Sequence, residues 1–592
     1  PFLIWVSTSF KSDVDALDFD LAPAYWFKND KLLAKYIELQ SNYDLQFYER
    51  VSRDPATKLA AMALPKPANA AERADYYQYL KALPDTYVML SGAGFTHPTF
   101  RTKFGITEVI ADYRAFLVNK YGSAAEMNKA YNTVEVDFQK ITPVVENWWS
   151  RLFLPAFDQH MVEFQAFKMQ EPLQYRLPVP GESVWSEYLR TRIDNDVKNV
   201  NAKFGTQYAS IDEATFPHRK PTSNPELAKA WEECIRQYVS LFYVRADRNA
   251  QPAWVAFLRK RYQNNIALYQ RTHGSTTANF AQIALPKDCP IDTVTMGEWN
   301  DFITTEAPIA SLTYDTPEER YRTFLHAKYQ TVAAVNSAYG TQYAGWDYVA
   351  PPNTRVWAAY CREHAGAVRW EFMTRNYTTV FNYVVLHGRA FFNTTVLILL
   401  SLLVTLTVNP IAAYALSRFK MPSANRILLF LLATMAFPAE ISMIPNFLLL
   451  KQLTLLNTFW ALVLPGMASG FSIFLLKGMF DALPQDLYEA AELDGAGEAT
   501  IFWRITIPLV KPFLAYLALG TFTAAYGAFA FAFILCPNPK MWTLMVYLQQ
   551  MEYFYSKPVQ FAAFVLAAIP TLIVFIACQR VIMQGIVLPT EK

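Results

Sequence analysis

Between Asp481 and Pro508 the chain carries several carboxylates among small and apolar residues, in a stretch that contains Glu489-Ala490-Ala491, Asp494-Gly495, Ile505 and Ile507-Pro508. Pro484 suits a first helical turn, Asp486 and Glu489 suit a helix N-terminus, and Asp494-Gly495 reads as a stop where glycine takes a left-handed angle cheaply. A second helix is expected from about Glu498, with Phe502 and Ile505 at helical spacing, ending by Pro508. The segment therefore reads as a two-helix elbow, on which small Ala490 and Ala491 would let another protein's surface approach the backbone closely. Other chemistry finds little support. There is no GxxxxGK[ST] and no Gly-Lys pair, so ATP is not expected to be hydrolysed here. His97, His160, His218, His273, His326, His364 and His387 are isolated, no CxxC links the five cysteines, and no metal site is suggested. Glu146, Glu182, Glu187 and Glu298 form no pair that spacing selects and are expected to be solvated, so no residue is assigned as catalytic.

Positioning such an elbow requires a frame, and composition supplies one. The 592 residues are 53% hydrophobic, and 53 Lys+Arg against 51 Asp+Glu leave a net charge of +2, which gives no electrostatic case for nucleic acid. From Asn393 to Lys592 only 20 residues of 200 are charged. Charge-free runs cover Ala390 to Ser417, Gln452 to Leu476, Pro512 to Pro539 and Pro558 to Gln579, and Ile427 to Leu450 is interrupted only by Glu440. Each is long enough to cross a hydrocarbon core of about 30 Å as a helix. Glu440, between Pro438 and Pro445, is expected in a broken, wet loop. Apolar Pro1 to Val6 reads as the outer end of a truncated first membrane helix, making six spans. Arg418, Lys420, Arg426, Lys477, Arg504, Lys511, Arg580 and Lys592 against Lys451, Lys540 and Lys557 place the C-terminus in the cytoplasm, and residues 11–389 mainly outside, by the positive-inside rule.

The spacing Glu489-Ala490-Ala491, then Gly495, Ile505 and Ile507-Pro508 resembles the EAA loop of permease subunits in bacterial ABC importers, with Ile507 where Leu is usual. Asn393-Thr394, Ala413 to Arg418, Met443-Ile444-Pro445, Phe474-Leu475-Leu476, Gln579-Arg580, Gln584-Gly585 and Ser7 to Lys11 resemble the carbohydrate importers of the maltose-transporter type. The resemblance implies a multi-pass subunit of the bacterial inner membrane that moves a sugar or oligosaccharide by alternating access. It implies coupling through Glu489, Ala490, Ala491, Asp494, Gly495, Ile505 and Pro508 to a separate ATPase dimer that holds ATP and Mg. A second permease subunit, an extracytoplasmic solute-binding protein and membrane lipid are the implied partners; no cofactor resides in this chain.

The long segment before the membrane part repeats. Tyr113/Phe116/Leu117, Trp185/Tyr188/Leu189, Trp254/Phe257/Leu258 and Tyr321/Phe324/Leu325 follow one another at spacings of 72, 69 and 67. Each is followed by an aromatic or His with a turn residue, at Asn132, Gly205, Gly274 and Gly340, and then by Pro143, Pro217, Pro286 or Pro351. The units near 113–143, 185–217, 254–286 and 321–351 read as helix, turn, helix and extended exit, with a further helix carrying Trp231 or Trp299 before some of them. The aromatics are expected in the core. Tyr321 to Tyr329 with Asn336 to Thr341 resembles a short helical stretch of family 42 glycoside hydrolases, yet no Asn-Glu acid/base signature accompanies it.

The expected fold is all-α, a polytopic bundle of six spans with a large, mostly helical extracytoplasmic repeat domain between spans 1 and 2. Residues 1–10 end the first transmembrane helix, 11–375 form the repeat domain, and 376–592 form the permease domain with its coupling loop at 481–508. The repeat domain is expected to dock a solute-binding protein or the partner permease. The rival reading is a membrane-anchored glycan-binding or glycan-cleaving receptor.

Overall fold

The computed structural model describes residues 2–12, 14–41, 44–54, 56, 58–90, 108–135, 137–138, 141, 143–144, 146–151, 153, 158–381, 389–419, 421–434, 439–554 and 556–584. Pro1, His97, His387, Lys420, Pro438, Gly585 and Lys592 lie outside the described residues, as do the side chains of Glu440 and Arg580. The chain divides into two compact units, one of residues 1–12, 19–21 and 372–592, the other of 13–18 and 22–371.

In the first unit, helices Ala390–Arg418 and Lys557–Gln584 are each apolar and long enough to cross a membrane. Helix Phe2–Thr8 packs on the latter, with the Trp5 ring 6.1 Å from Phe561 and 6.2 Å from Phe564. Two further apolar segments are bent pairs, Phe459–Gly466 with Gly470–Asp481 at 50°, and Glu498–Leu509 with Lys511–Tyr526 at 80°. The run from Gln452 to Leu476 is therefore not one continuous helix. Its helix begins only at Phe459, where Thr458 caps it, and it breaks again after Pro465 and Gly466 before resuming at Gly470. The run from Pro512 to Pro539 likewise stops at Tyr526 and Gly527 before a short helix, Ala530–Leu535. Pro445 lies inside helix Ala439–Gln452 instead of breaking it. Helix Ala390–Arg418 is the spine, packed on Gly470–Asp481 and on Lys511–Tyr526. Polar side chains along it satisfy backbone groups that lipid cannot. Asn393 Nδ2 donates to the carbonyls of Lys540 and Trp542 at 2.9 and 3.0 Å, Thr394 Oγ1 accepts from Leu544 N at 2.7 Å, and Asn409 Oδ1 accepts from Ser469 N at 3.0 Å.

The second unit is built from four copies of one motif. Each copy opens with a lead helix: Ala70–Ala82, Gln159–Gln170, Pro225–Gln237 or Thr293–Thr305. A 3₁₀ turn and a three-residue strand follow, β1 Val88–Leu90, β2 Arg176–Pro178, β3 Val244–Ala246 and β4 Leu312–Tyr314. An anchor helix carries the paired aromatics, in Glu108–Tyr121, Ser183–Tyr188, Gln251–Arg261 and Pro317–Tyr329. A return helix closes the copy, Ala124–Tyr131, Val197–Phe204, Ile266–His273 and Val332–Tyr339. The return helices end on left-handed residues, Asn132 at φ 54°, Gly205 and Gly340 at 68° and Gly274 at 58°. A lead helix precedes every copy, not only those with Trp231 and Trp299. The unit is mostly helical, as expected, and its few short strands pair two by two: β1 antiparallel with β2, and β3 with β4.

Successive copies are joined in one way. Each lead helix lies against the anchor and return helices of the copy before it, and a carboxylate on it receives their hydroxyls. Glu163 accepts from Tyr121 and, at 2.7 Å, from Tyr131; Glu233 accepts from Tyr188 at 3.0 Å; Glu298 accepts from Tyr262 and contacts His273 Nε2 at 3.0 Å. The first lead helix has no earlier copy, and it packs on the fourth. Asp75 accepts from Tyr329 at 2.6 Å, Tyr339 at 2.8 Å and Lys328, and Tyr79 packs edge-on to Tyr321 at 5.0 Å. The repeats thus close into a ring instead of an open stack.

Candidate functional site

The elbow forms from its own local signals. Helix Gln485–Leu493 follows Pro484, carries Asp486 in its first turn, and is followed by Gly495 at φ 80°. The next helical piece starts at Glu498 and runs through a π-helical segment, Phe502–Thr506, into Ile507–Leu509. Pro508 sits inside that last turn, and the chain then bends by 80° into Lys511–Tyr526. A π turn is an irregularity in a helix, and such turns are frequent at functional sites.

Of the residues singled out, Glu489, Ala490, Asp494, Gly495 and Pro508 are exposed, and Ile505 is half-buried. Ala491 departs from expectation. It is 9% exposed and packs inward with Tyr414, Ile473, Tyr488 and Ile501, so of the two alanines only Ala490 offers a surface to another protein. Glu489 accepts from Gln485 Nε2 at 2.7 Å along its own helix. Sequence spacing did not point to what ties the elbow to the spine. Arg418, at the end of helix Ala390–Arg418, pairs with Glu492, reaches Glu498 at 4.0 Å and stacks over the Tyr488 ring at 4.5 Å. Tyr414, one turn earlier, donates to Glu498 Oε2 and packs edge-on to Phe502 at 5.0 Å. Ser417 donates to Asp481 Oδ1, which closes the start of the elbow on the same helix end. The signal that could have found this is a cationic residue ending an apolar span while an acidic run follows later.

The same spine helix borders a cavity of about 800 Å³, within the size range of ligand sites, about 300–1,000 Å³. Its polar lining is hydroxyl only: Ser401 and Thr405 from the spine, Ser469 and Ser472 from the bent pair, Thr521 and Thr523 from Lys511–Tyr526, with Tyr516 beside them. Leu397, Val404, Phe471 and Phe531 supply apolar walls, and among the described residues no charged one lines it. Such a wall offers weak, exchangeable hydrogen bonds to a polar solute without a fixed charge to trap it.

In the ring unit, three of the four carboxylates expected to be solvated are buried instead. Glu146, 6% exposed, pairs with Lys168 at 2.6 Å and accepts from Trp148 at 3.0 Å. Glu298 is 1% exposed beneath Tyr262 and His273, and only Glu187 is exposed, paired with Arg50 at 2.9 Å. Glu182, 2% exposed, is held by Arg322 and, at 2.9 Å, by Arg53. Burial alone would raise its pKa, and the two guanidiniums outweigh burial and hold it below the usual value. Its neighbour Glu318 goes the other way, pushed up to about 7 by burial and by the Glu182 charge. These charges were unreadable in sequence because their partners lie far along the chain.

Residues 409–587 match the family described as the binding-protein-dependent transport system inner membrane component. Among individual proteins, the chain is 31% identical over 199 residues to the diacetylchitobiose uptake system permease protein of Streptomyces coelicolor, covering 33% of this chain and 66% of that protein. It is 31% identical over 204 residues to the sn-glycerol-3-phosphate transport system permease protein of Yersinia enterocolitica, covering 34% of this chain and 73% of that one. The chain thus spans just under two thirds of the first relative and more of the second. A solved bacterial ABC transporter involved in import of the acidic polysaccharide alginate matches at 27% identity and TM-score 0.31, over 35% of this chain and 78% of that chain. These relatives are named as transport permeases, not as enzymes.

Proposed function

Because the chain belongs to the family of inner-membrane permease components of binding-protein-dependent ABC importers, we propose that it moves a sugar or oligosaccharide across the membrane by alternating access, driven by a separate ATPase dimer. The observation that carries this reading is the continuous linkage from elbow to cavity. Arg418 and Tyr414 clamp Glu492, Glu498 and Phe502 of the elbow at one end of the spine helix, and Ser401 and Thr405 of the same helix line the cavity. A push on the exposed face of Glu489 and Ala490 is thereby delivered to a cavity wall, since packed elements switch between discrete arrangements and do not stretch. The hydroxyl lining supports a neutral, polyhydroxylated solute. In this reading the elbow and the C-terminus face the cytoplasm, helix Phe2–Thr8 completes a first of six spans, and the ring unit lies outside, where a solute-binding protein or the partner permease meets it.

The test is co-purification and uptake. The chain should bring an ATPase and a second permease with it. Ala490→Trp should release the ATPase, whereas Ser472→Trp should keep the assembly and block uptake by filling the cavity. A chain that purifies alone, or whose ATPase survives Ala490→Trp with uptake intact, would remove the basis of this reading.

A further inference from the structure

The ring unit holds a second cavity, about 240 Å³, lined by polar and charged residues with Ala214 the one apolar residue among those described. That is below the range of drug-sized sites, about 300–1,000 Å³, and suits a single ring-sized molecule. Its walls are set by ion pairs. Arg50 bridges Glu187 at 2.9 Å and Ser183 Oγ at 3.3 Å, and its guanidinium is fixed over the Trp149 ring at 5.2 Å. Arg53 caps helix Leu45–Ser52 in a left-handed conformation at φ 59° and reaches Glu182 at 2.9 Å, while Arg190 pairs with Asp212. Three guanidiniums thus neutralise three carboxylates. The fourth lining carboxylate, Glu49, makes no ion pair or side-chain hydrogen bond among the described residues; burial raises its pKa, and the Arg190 and Arg50 guanidiniums, acting on it without contact, offset that only in part.

These features select a ligand class. A phosphate or sugar acid would meet one carboxylate too many. A metal cation is disfavoured because each paired carboxylate already faces a fixed cation. Vicinal hydroxyls, by contrast, give two hydrogen bonds to a carboxylate or accept two from a guanidinium, and the walls alternate those two groups. We propose that this cavity is a binding site for one neutral monosaccharide ring, with Glu49 accepting from its hydroxyls and the Arg50 and Arg53 pairs flanking it. The site is separate from the hydroxyl-lined cavity of the membrane unit and stands whether or not the transport reading does.

The experiment is calorimetric titration of the full chain in lipid nanodiscs with glucose, galactose, mannose and N-acetylglucosamine, and with glucuronate and glucose 6-phosphate as anionic controls. At least one neutral sugar should bind saturably, and the anions tenfold or more weakly. Glu49→Gln should weaken binding tenfold or more, since a bond to a charged acceptor is replaced by a neutral one. Thr191→Trp, at the exposed rim, should abolish binding by occupying the space without touching an ion pair. Ser401→Trp, in the membrane cavity, should leave the component of binding that Glu49→Gln weakens unchanged, whatever it does to binding in that other cavity. No saturable binding of any neutral sugar below about 50 mM, equal binding of the anions, or binding indifferent to both Glu49→Gln and Thr191→Trp would overturn the assignment.

Discussion

Replacing Gly495 with valine isolates the geometry of the elbow from its contacts. Gly495 holds φ 80°, and a Cβ built there would have no heavy atom within 4 Å, so the cost of a side chain is conformational and not steric. For an L-residue the left-handed region costs about 1–2 kcal/mol, and a β-branched side chain lies at the upper end. That is about 5- to 30-fold in the population of the bent form. The strain is relieved by swinging helix Gln485–Leu493 against Glu498–Leu509, which disturbs Arg418 between Glu492 and Glu498. Asparagine tolerates the same angle and serves as the control. In proteoliposomes holding the assembled transporter, Gly495→Val should lower solute moved per ATP hydrolysed about 5- to 30-fold, whereas Gly495→Asn should stay near the parent. Two results refute the reasoning: equal coupling in Gly495→Val and parent, or equal loss in Gly495→Val and Gly495→Asn, which would make any side chain at that spot obstructive.

Three further outcomes are expected. Glu318 is pushed up to about 7 in the folded chain, so it binds its proton more tightly there than when unfolded; the stability this gives is full below the ordinary carboxylate range and is lost as pH rises through about 7. Glu318→Gln should therefore leave thermal unfolding in detergent nearly unchanged at acidic pH and stabilise the chain by about 3 kcal/mol at alkaline pH, and a stabilisation equal at both pH values would contradict the assignment. Asp75→Leu should cost about 2–3 kcal/mol by stranding the hydroxyls of Tyr329 and Tyr339, and faster amide exchange should appear in both the first lead helix and the fourth repeat; exchange confined to one of them would argue against a closed ring. Gly470→Ala places a Cβ 2.5 Å from the Leu431 carbonyl oxygen and should destabilise by about 1–3 kcal/mol, whereas Gly466→Ala, which meets nothing within 4 Å, should not by that route; thermal denaturation of the two variants decides it.

What was legible in the sequence was local. Charge-free runs became the helices Ala390–Arg418 and Lys557–Gln584, because such a run has no other way to satisfy its amides in lipid. The same composition carries no information on kinks, so the breaks near Gly466 and Gly527 were invisible as run lengths. The elbow's shape was readable since Pro484, Asp494 and Gly495 act within a turn of themselves, but the inward facing of Ala491 depends on Tyr414 and Ile473, far away in sequence. In the repeats, the aromatic anchors and left-handed caps announced themselves. The first two lead helices did not, because Tyr76 and Phe164 stand where Trp231 and Trp299 mark the others. One further signature went unread. Asn128, Asn201, Gln270 and Asn336 each donate from the return helix to the carbonyl seven residues on, at 2.8 to 2.9 Å. Three-residue strands are too short for an alternation to show, and ring closure rests on Asp75 meeting Tyr329 at a sequence separation of 254.

The closed ring also decides how so large a segment can interrupt a membrane protein. Helix Asn29–Gln40, near its entrance, packs on Asn353–Glu363, near its exit; Tyr36 stacks on Tyr360 at 5.8 Å, and Arg369 reaches Asn29 at 2.7 Å. In the membrane unit, Asn376 likewise donates to the carbonyls of Ser9 and Lys11. Doorway and threshold each bring the two ends of their own chain together. A cassette whose ends are fastened side by side can be spliced into a tight bend of its host without prying the host apart.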